Sequence, residues 1–504
     1  MHEVAIVGAG FGGLGMAIRL KEEGRDDFVL IERGEDVGGT WWANSYPGAQ
    51  CDVPSNLYSF SFAPNPRWTR AYPLRDEIQA YLRDCAERYG VVPHLRLGCE
   101  LLDATWIPGG QRWELETSEG PVAARVLVAA PGLLSEPFTP AIPGMERFEG
   151  NAFHTARWDH GDDLTGKRVA VIGTGASAVQ VVPAIQPRVS TLTLFQRTPP
   201  WVAPHMDHEV SPRMRATYRR LPALQRLSRG TIYSLIELAL APGMTRDTRL
   251  LKPAETIVRL HMRRQVADPE LRRRLTPSYQ FGCKRIVFSN EWYPALQAPN
   301  VDVVTSGITE LRERSIVDLE GVEHPIDTLI LATGFKPAEL PIAERIHGRD
   351  GRSLADVWDG SPRAYLGTTV AGFPNLMLLY GPNLNLGHTS IVYMLESQLA
   401  YAMDALRTTR ARGAAQFEVR PEAQAAYNEE IQDRLAGTVW STGCSSWYID
   451  RNGRNSIMWP GYTFEYRRRT RRFDAEAYRL APASTAPARA SAASAAPAAW
   501  PRKA

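Results

Sequence analysis

The chain has 504 residues, 44% hydrophobic and 22% charged, with a formal net charge of +3 at pH 7. That length calls for two or three domains with ample core volume, and so small a net charge excludes an electrostatic case for nucleic acid as partner. Five cysteines (Cys51, Cys85, Cys99, Cys283, Cys444) show no CxxC spacing, which indicates neither a metal site nor a disulfide framework and suits a reduced, cytoplasmic setting.

The opening residues Val4-Ala-Ile-Val7 run straight into glycines and read as a buried strand, not a signal peptide. The loop Gly8-Ala-Gly10-Phe-Gly-Gly13 follows, then an apolar-periodic helix and a second strand, Phe28-Val-Leu-Ile31, ending at Glu32. This is a complete βαβ dinucleotide fingerprint. Gly8 makes the tight turn, Gly10 lets the backbone approach a pyrophosphate, and Gly13 lets helix and strand pack closely. The helix N-terminus offers free N–H groups to phosphate, and Glu32 is placed to accept hydrogen bonds from a ribose. Next comes Gly38-Gly39-Thr40-Trp41-Trp42-Ala-Asn44-Ser-Tyr46-Pro47-Gly48-Ala-Gln50-Cys51-Asp52, whose glycines and Pro-Gly predict a loop. A helix is expected over 75–89 and strands over 94–130, the last running into Pro131-Gly132.

Residues 148–159 read as an irregular connector between Pro143-Gly144 and Gly161, although they carry Phe148, Phe153, His154 and Trp158. For an isolated histidine, a packed linker with His154 and Trp158 as satisfied core residues is the ordinary reading. A second fingerprint then begins. The strand 167–172 feeds Gly173-Thr174-Gly175-Ala176-Ser177-Ala178, and the strand 191–195 ends at Gln196-Arg197-Thr198. Here the acid of the first site is replaced by Arg197, which can grip a 2′-phosphate with two hydrogen bonds and argues for NADPH over NADH.

Residues 200–280 are arginine-rich and helical by pattern. Their most apolar run, 231–241, is interrupted by Glu237 and stopped by Pro242, far below the ~20 residues of a membrane span. It reads as a buried helix or the lining of a substrate entrance. Lys284-Arg285 follows Gly282-Cys283. The stretch 327–335 reads as a strand entering a turn, and 381–390 as a Gly/Asn loop before a helix from Ile391, with Asn383, Asn385 and His388 as candidate contacts. The run Arg467–Arg472 reads as a solvated surface, and residues 481–504 as a disordered Ala/Pro-rich tail.

Five of these stretches, in this order, resemble the Baeyer–Villiger monooxygenases: the first fingerprint, GGxWxxNxYPGxxxD at 38–52, Phe148-x-Gly150-x-x-x-His154-x-x-x-Trp158, the second fingerprint, and Lys284-Arg285. The resemblance spans residues 1–475 and departs at two points. Pro131 stands where the family has threonine, and Asp159 where its strictest pattern has proline.

The resemblance implies an α/β fold of two Rossmann-like dinucleotide-binding domains. The FAD domain would comprise 1–147 and 331–480, the linker 148–160, and the NADPH domain 161–330 with its helical insertion at 200–280. FAD would bind Gly8, Gly10, Gly13, Glu32, Gly39, Thr40, Trp41, Asp52 and Tyr58. NADPH would bind Gly173, Thr174, Gly175, Ala176, Ser177, Ala178, Arg197, Thr198 and Lys284. Arg285, paired with Asp52, would reach the flavin and stabilise an anionic C4a-peroxyflavin attacking a ketone, to give an ester or lactone. His154 and Trp158 would couple domain movement to catalysis. The implied partners are O2 and a small apolar ketone. Sulfur or nitrogen oxygenation is the near alternative, and a two-dinucleotide reductase the distant one.

Overall fold

The computed structural model describes residues 1–444 and 446–483. Val4, Ala5, Ile6 and Val7 are buried on both faces of the strand His2–Val7, the continuous apolar pattern of a parallel sheet covered on both sides. That strand lies between Phe28–Ile31 and Val122–Ala129, parallel to both. The complete first sheet runs in the order Ile346–His347, Leu101–Ile107, Arg112–Thr117, Val122–Ala129, His2–Val7, Phe28–Ile31, Leu95–Arg96, with Leu376–Leu378 also paired to Val122–Ala129. Its strands come from both ends of the chain.

The second sheet is parallel throughout and lies between them in sequence. Its order is Val301–Val304, Thr191–Phe195, Arg168–Ile172, Thr328–Leu331, Asn151–His154. Each sheet carries the helix that follows its glycine loop, Phe11–Glu22 on the first and Ala176–Ile185 on the second. The insertion folds as four helices, Pro212–Arg220, Pro222–Thr245, Lys252–Gln265 and Pro269–Arg274.

Five expectations are corrected. The connector is not irregular throughout, because Asn151–His154 is an edge strand of the second sheet, paired in parallel with Thr328–Leu331. Within the 38–52 loop, Thr40–Ala43 forms one helical turn. The helix expected to stop at Pro242 continues to Thr245. The lost hydrogen bond there would run to Leu238, on a side of the helix where the side chain is 66% exposed and water can take the carbonyl. The tail begins later than expected, since Tyr478–Pro482 pairs antiparallel with Ala414–Val419, and residues 484–504 lie outside the described residues. Finally, Cys283 and Cys444 form a disulfide, while Cys51, Cys85 and Cys99 are free and buried. The two partners are 161 residues apart, so no local spacing announces them.

Gly13 shows how tightly the first helix meets its strand. A Cβ there would stand 1.8 Å from the carbonyl oxygen of Gly8, a backbone atom unable to move aside. Gly13→Val is expected to destabilise the protein by ~3 kcal/mol or more, measured as a lowered midpoint in urea unfolding. Wild-type stability in that variant would refute the close-packing role.

Candidate active site

The C-terminal ends of the two sheets face one another across a continuous cleft of roughly 1540 Å³. A pocket for one small ligand spans ~300–1,000 Å³, so this volume suits two dinucleotides. Among the described residues, no group of three or more His, Cys, Asp or Glu side chains is placed to hold a metal ion.

One end of the cleft is the first glycine loop. Gly8 adopts φ +99°, and a Cβ there would lie 2.3 Å from the Ala130 carbonyl oxygen, so only glycine makes this turn. At Gly10 the nearest atom to a Cβ would be Gly39 Cα at 3.7 Å, which leaves the backbone open to the cleft. Gly10 caps the helix Phe11–Glu22 without any side-chain hydrogen bond, so the first N–H groups remain available to an anion. Glu32 is 9% exposed and lines the cleft. Its carboxylate accepts from the Ala9 N–H at 2.7 Å and the Gly34 N–H at 2.8 Å, which fixes the acid beside the loop. Gly39, Thr40, Trp41, Asp52 and Tyr58 line the same wall. Trp41 donates its indole N–H to the Tyr58 hydroxyl at 2.9 Å.

The other end repeats this plan. Gly173 has φ +112° and would clash with the Ala332 carbonyl if it carried a Cβ. Gly175 caps the helix Ala176–Ile185, again with no side-chain hydrogen bond. Thr174 donates its hydroxyl to the Thr198 carbonyl at 2.8 Å, which ties the glycine loop to the end of the next strand. Ala178 points away from the cleft into the core of the second sheet. Arg197 and Lys284 share the cleft wall. Burial and the Arg197 charge both lower the Lys284 pKa, and its ammonium sits 4.7 Å from the Tyr279 ring centroid. Two cations on one wall, near enough to act on each other electrostatically, are matched to a doubly charged anion. The donor sets therefore fit a flavin dinucleotide at the first loop and a 2′-phosphorylated nicotinamide dinucleotide at the second.

Between the two ends, Arg285 forms an ion pair and hydrogen bond with Asp52, 233 positions away in sequence. Asp52 holds the guanidinium protonated, its pKa raised far above the usual range, although desolvation opposes this. Part of the Arg285 side chain remains open, and it opens onto the cleft. Tyr380 and Tyr448 act electrostatically on the same guanidinium. Neither tyrosine is marked out by a sequence motif. Tyr380 carries one physical signal, a φ of +60° just before Gly381, with its hydroxyl donating to Asn385 at 2.7 Å. Left-handed backbone at a non-glycine residue is a feature of strained functional loops.

The other expected contacts divide. Asn385 lines the cleft, whereas Asn383 turns away and donates to the carbonyls of Asn455 and Met458. His388 is also absent from the cleft wall. It is buried against Glu237 of the insertion at 3.3 Å, away from the contacts expected of it. No residue between 201 and 278 lines the cleft, so the run 231–241 is not the lining of a substrate entrance here. The cleft wall comes instead from Leu379 to Leu395 and from Ser446 and Trp447.

A family model described as pyridine nucleotide-disulphide oxidoreductase matches residues 5–232. A Baeyer–Villiger monooxygenase of Streptomyces coelicolor is 50% identical over 485 residues, covering 95% of this chain and 93% of the relative. The chain belongs to the Baeyer–Villiger monooxygenases. Among solved structures, cyclohexanone monooxygenase from Rhodococcus sp. Phi1 bound to NADP+ superposes with a TM-score of 0.84 at 29% identity, covering 96% of this chain and 99% of that one. The OTEMO complex with FAD and NADP superposes with a TM-score of 0.84 at 26% identity, covering 95% and 99%. This Baeyer–Villiger monooxygenase is an FAD- and NADPH-dependent enzyme.

Of the connector in this monooxygenase, Arg157 reaches the cleft wall, while the fingerprint residues lie behind it. Phe148 packs against the core beside the antiparallel strands 308–318, and a Cβ on Gly150 would strike both the Phe148 ring and the Asp327 carbonyl. Trp158 packs edge-on against Phe153 at 5.0 Å. Asp159 uses its carboxylate on Asn151 and the Gly161 N–H, outside the cleft, so the departure from proline there lends no support to heteroatom oxidation. His154 is 5% exposed, its ring edge-on to Phe335 at 5.7 Å, and its Nδ1 accepts from the Ala156 N–H. Burial lowers its pKa to about 4, partly offset by the adjacent backbone of Gly334.

An unfolded chain therefore takes up a proton between pH 6.5 and 4 that the folded protein refuses. Stability from this residue is complete above pH 6.5 and falls as the pH drops toward 4. Between pH 7 and 5, wild type should lose about 2 kcal/mol more stability than His154→Gln. Equal pH slopes in urea titrations of the two proteins would show that His154 is not held neutral.

Proposed function

We propose that this enzyme converts a small apolar ketone to an ester or lactone, and that the Asp52–Arg285 pair supplies the fixed charge for that step. The observation that carries the reading is the placement of one paired guanidinium at the junction of two dinucleotide cradles. Bound FAD, reduced by NADPH, supplies activated oxygen from O2. The residues of the chain govern the attack on the ketone. As the carbonyl is attacked, its oxygen gains negative charge, and a cation already in place stabilises that charge without reorganisation. Asp52 holds Arg285 in one orientation while leaving part of the guanidinium turned into the cleft. Tyr380, Tyr448 and Trp447 surround that point with aromatic surface that excludes water. The similarity to cyclohexanone monooxygenase supports a cyclic or other small ketone as substrate.

In the same reading, Arg197 and Lys284 hold the 2′-phosphate of NADPH, while Glu32 holds the adenosine ribose of FAD. His154, buried at the edge of the second sheet, and half-buried Trp158 transmit the position of that sheet to the cleft.

Two measurements test these roles. Holoenzyme given NADPH, O2 and cyclohexanone is expected to yield caprolactone. Arg285→Ala should still oxidise NADPH but lose lactone formation by ~10²-fold or more, with hydrogen peroxide released in its place. An undiminished lactone yield would remove Arg285 from the mechanism. Arg197→Gln should raise KM for NADPH about tenfold, with little change in kcat or in the use of NADH. An equal effect on both coenzymes would place the 2′-phosphate elsewhere.

A further inference from the structure

The Cys283–Cys444 disulfide takes no part in the oxygen-transfer step, yet it joins two parts of the active site. Cys283 is fully buried and immediately precedes Lys284 and Arg285. Cys444 opens the segment that carries Ser446 and Trp447 into the cleft wall and Tyr448 to Arg285. Trp447 and Tyr448 pack against each other with ring centroids 4.5 Å apart. On either side this stretch is well anchored, by buried Val439 and Trp440 before it and by the turn closed between Asp450 and Arg454 after it. Between those anchors the situation differs. Among the described residues, Cys444 and residues 446–448 have no backbone hydrogen bond to an earlier segment: Ile449 and Tyr448 bond back to Ser446, and the bridge between Ile449 and Asn455 is the first tie to the later chain. The disulfide is thus the covalent tie that holds this part of the cleft wall to the residue before the catalytic pair.

The two sulfurs differ in access. Cys283 is sealed in the core, whereas Cys444 is partly exposed. An external thiolate therefore reaches the bond from the Cys444 side and expels the Cys283 sulfur. The remaining cysteines do not compete. Burial pushes the Cys51 thiol well up and the Cys85 thiol up to about 11, so both stay protonated at neutral pH. In a reducing compartment, disulfides that persist are mostly transient, catalytic or redox-sensing.

We propose that Cys283 and Cys444 are positioning residues of this monooxygenase, forming a reversible tie that sets Trp447 and Tyr448 over Arg285 and the nicotinamide-nucleotide end of the cleft. The proposal rests on the monooxygenase function for what the segment covers, but the tie itself can be tested without turnover. Opening it takes two electrons and two protons. Two glutathione thiols give up their hydrogens, the Cys283–Cys444 bond breaks to two thiols, and one bond forms between the glutathione sulfurs. Oxidised glutathione reverses the exchange. With the tie closed, the segment shields the bound coenzyme from water. With it open, the segment loses its covalent anchor and NADP+ leaves more readily.

The experiment compares three samples of the full-length holoenzyme: wild type treated with oxidised glutathione, wild type treated with reduced glutathione, and Cys444→Ser. Thiol titration after denaturation should find three thiols in the first, for the free Cys51, Cys85 and Cys99, and all five cysteines in the second. Chymotrypsin cleavage after Trp447 and Tyr448 should be about tenfold faster in the second and third samples than in the first. The dissociation constant for NADP+ should rise by a similar factor in both. Flavin reduction at saturating NADPH should keep its rate, because Arg285 and Asp52 stay in place. A bond that merely stabilised the fold would lower thermal stability and leave the NADP+ constant unmoved. Five thiols after oxidised glutathione, or identical proteolysis and NADP+ binding in all three samples, would overturn the proposal. Thiol counts and proteolysis do not depend on ketone oxidation, so failure here and failure of the monooxygenase reading are separate results.

Discussion

The structure turns on one contact between opposite charges inside the cleft. Asp52 belongs to the loop after the first glycine fingerprint, and Arg285 to the chain leaving the insertion of the second unit. Their pairing is possible only if the two sheets meet end to end, and neighbouring contacts secure that meeting. Tyr46 donates to Gln180 at 2.9 Å, Gln180 donates to the Gln50 carbonyl at 2.8 Å, and Gly48 lies so close to Gln180 that a Cβ would touch its carbonyl. A desolvated ion pair is a weak source of net stability, since dehydration of both charges offsets their attraction. Its value is in register, because an Arg285 displaced from Asp52 is an unpaired charge inside the cleft.

How much of this was legible in the amino-acid order depends on the distance over which each feature acts. Both glycine fingerprints, with flanking strands at 28–31 and 191–195, were readable because strand, turn and helix N-terminus are neighbours and each glycine has a local steric reason. The cross-chain pairing of Asp52 with Arg285 was visible only through resemblance, since nothing in either segment specifies the other. The Asn151–His154 strand escaped because its partner, Thr328–Leu331, lies far downstream, and an edge strand beside a turn has too few residues to show a period. The disulfide was missed for the same reason of distance. The place of His388 is equally unreadable, because a Gly/Asn loop gives no hint of the glutamate that meets it from the insertion.

That last contact gives the insertion a different part from the one its sequence suggested. Glu237 accepts the Thr463 N–H on one side and faces His388 on the other, both deep in the protein. The helix Pro222–Thr245 therefore braces the loop behind the cleft wall and does not form the wall itself. Arg229 on the same helix donates to the carbonyls of Asn56, Leu57 and Ser59, beside Tyr58. Changes in this helix would reach the cleft through the backbones it supports.

Both cofactor-facing helices begin at a glycine with no side chain to cap them. In most helices a serine, threonine or aspartate satisfies those first N–H groups and contributes about 1 kcal/mol. Here the position is kept for phosphate, so the fold is completed by molecules the chain does not encode. Any ligand that binds only the native state stabilises it by mass action, by about 4 kcal/mol at a thousand times its dissociation constant. The amount of this protein surviving in a cell should therefore follow the flavin and nucleotide supply, because newly made chains that find no cofactor stay longest within reach of proteases.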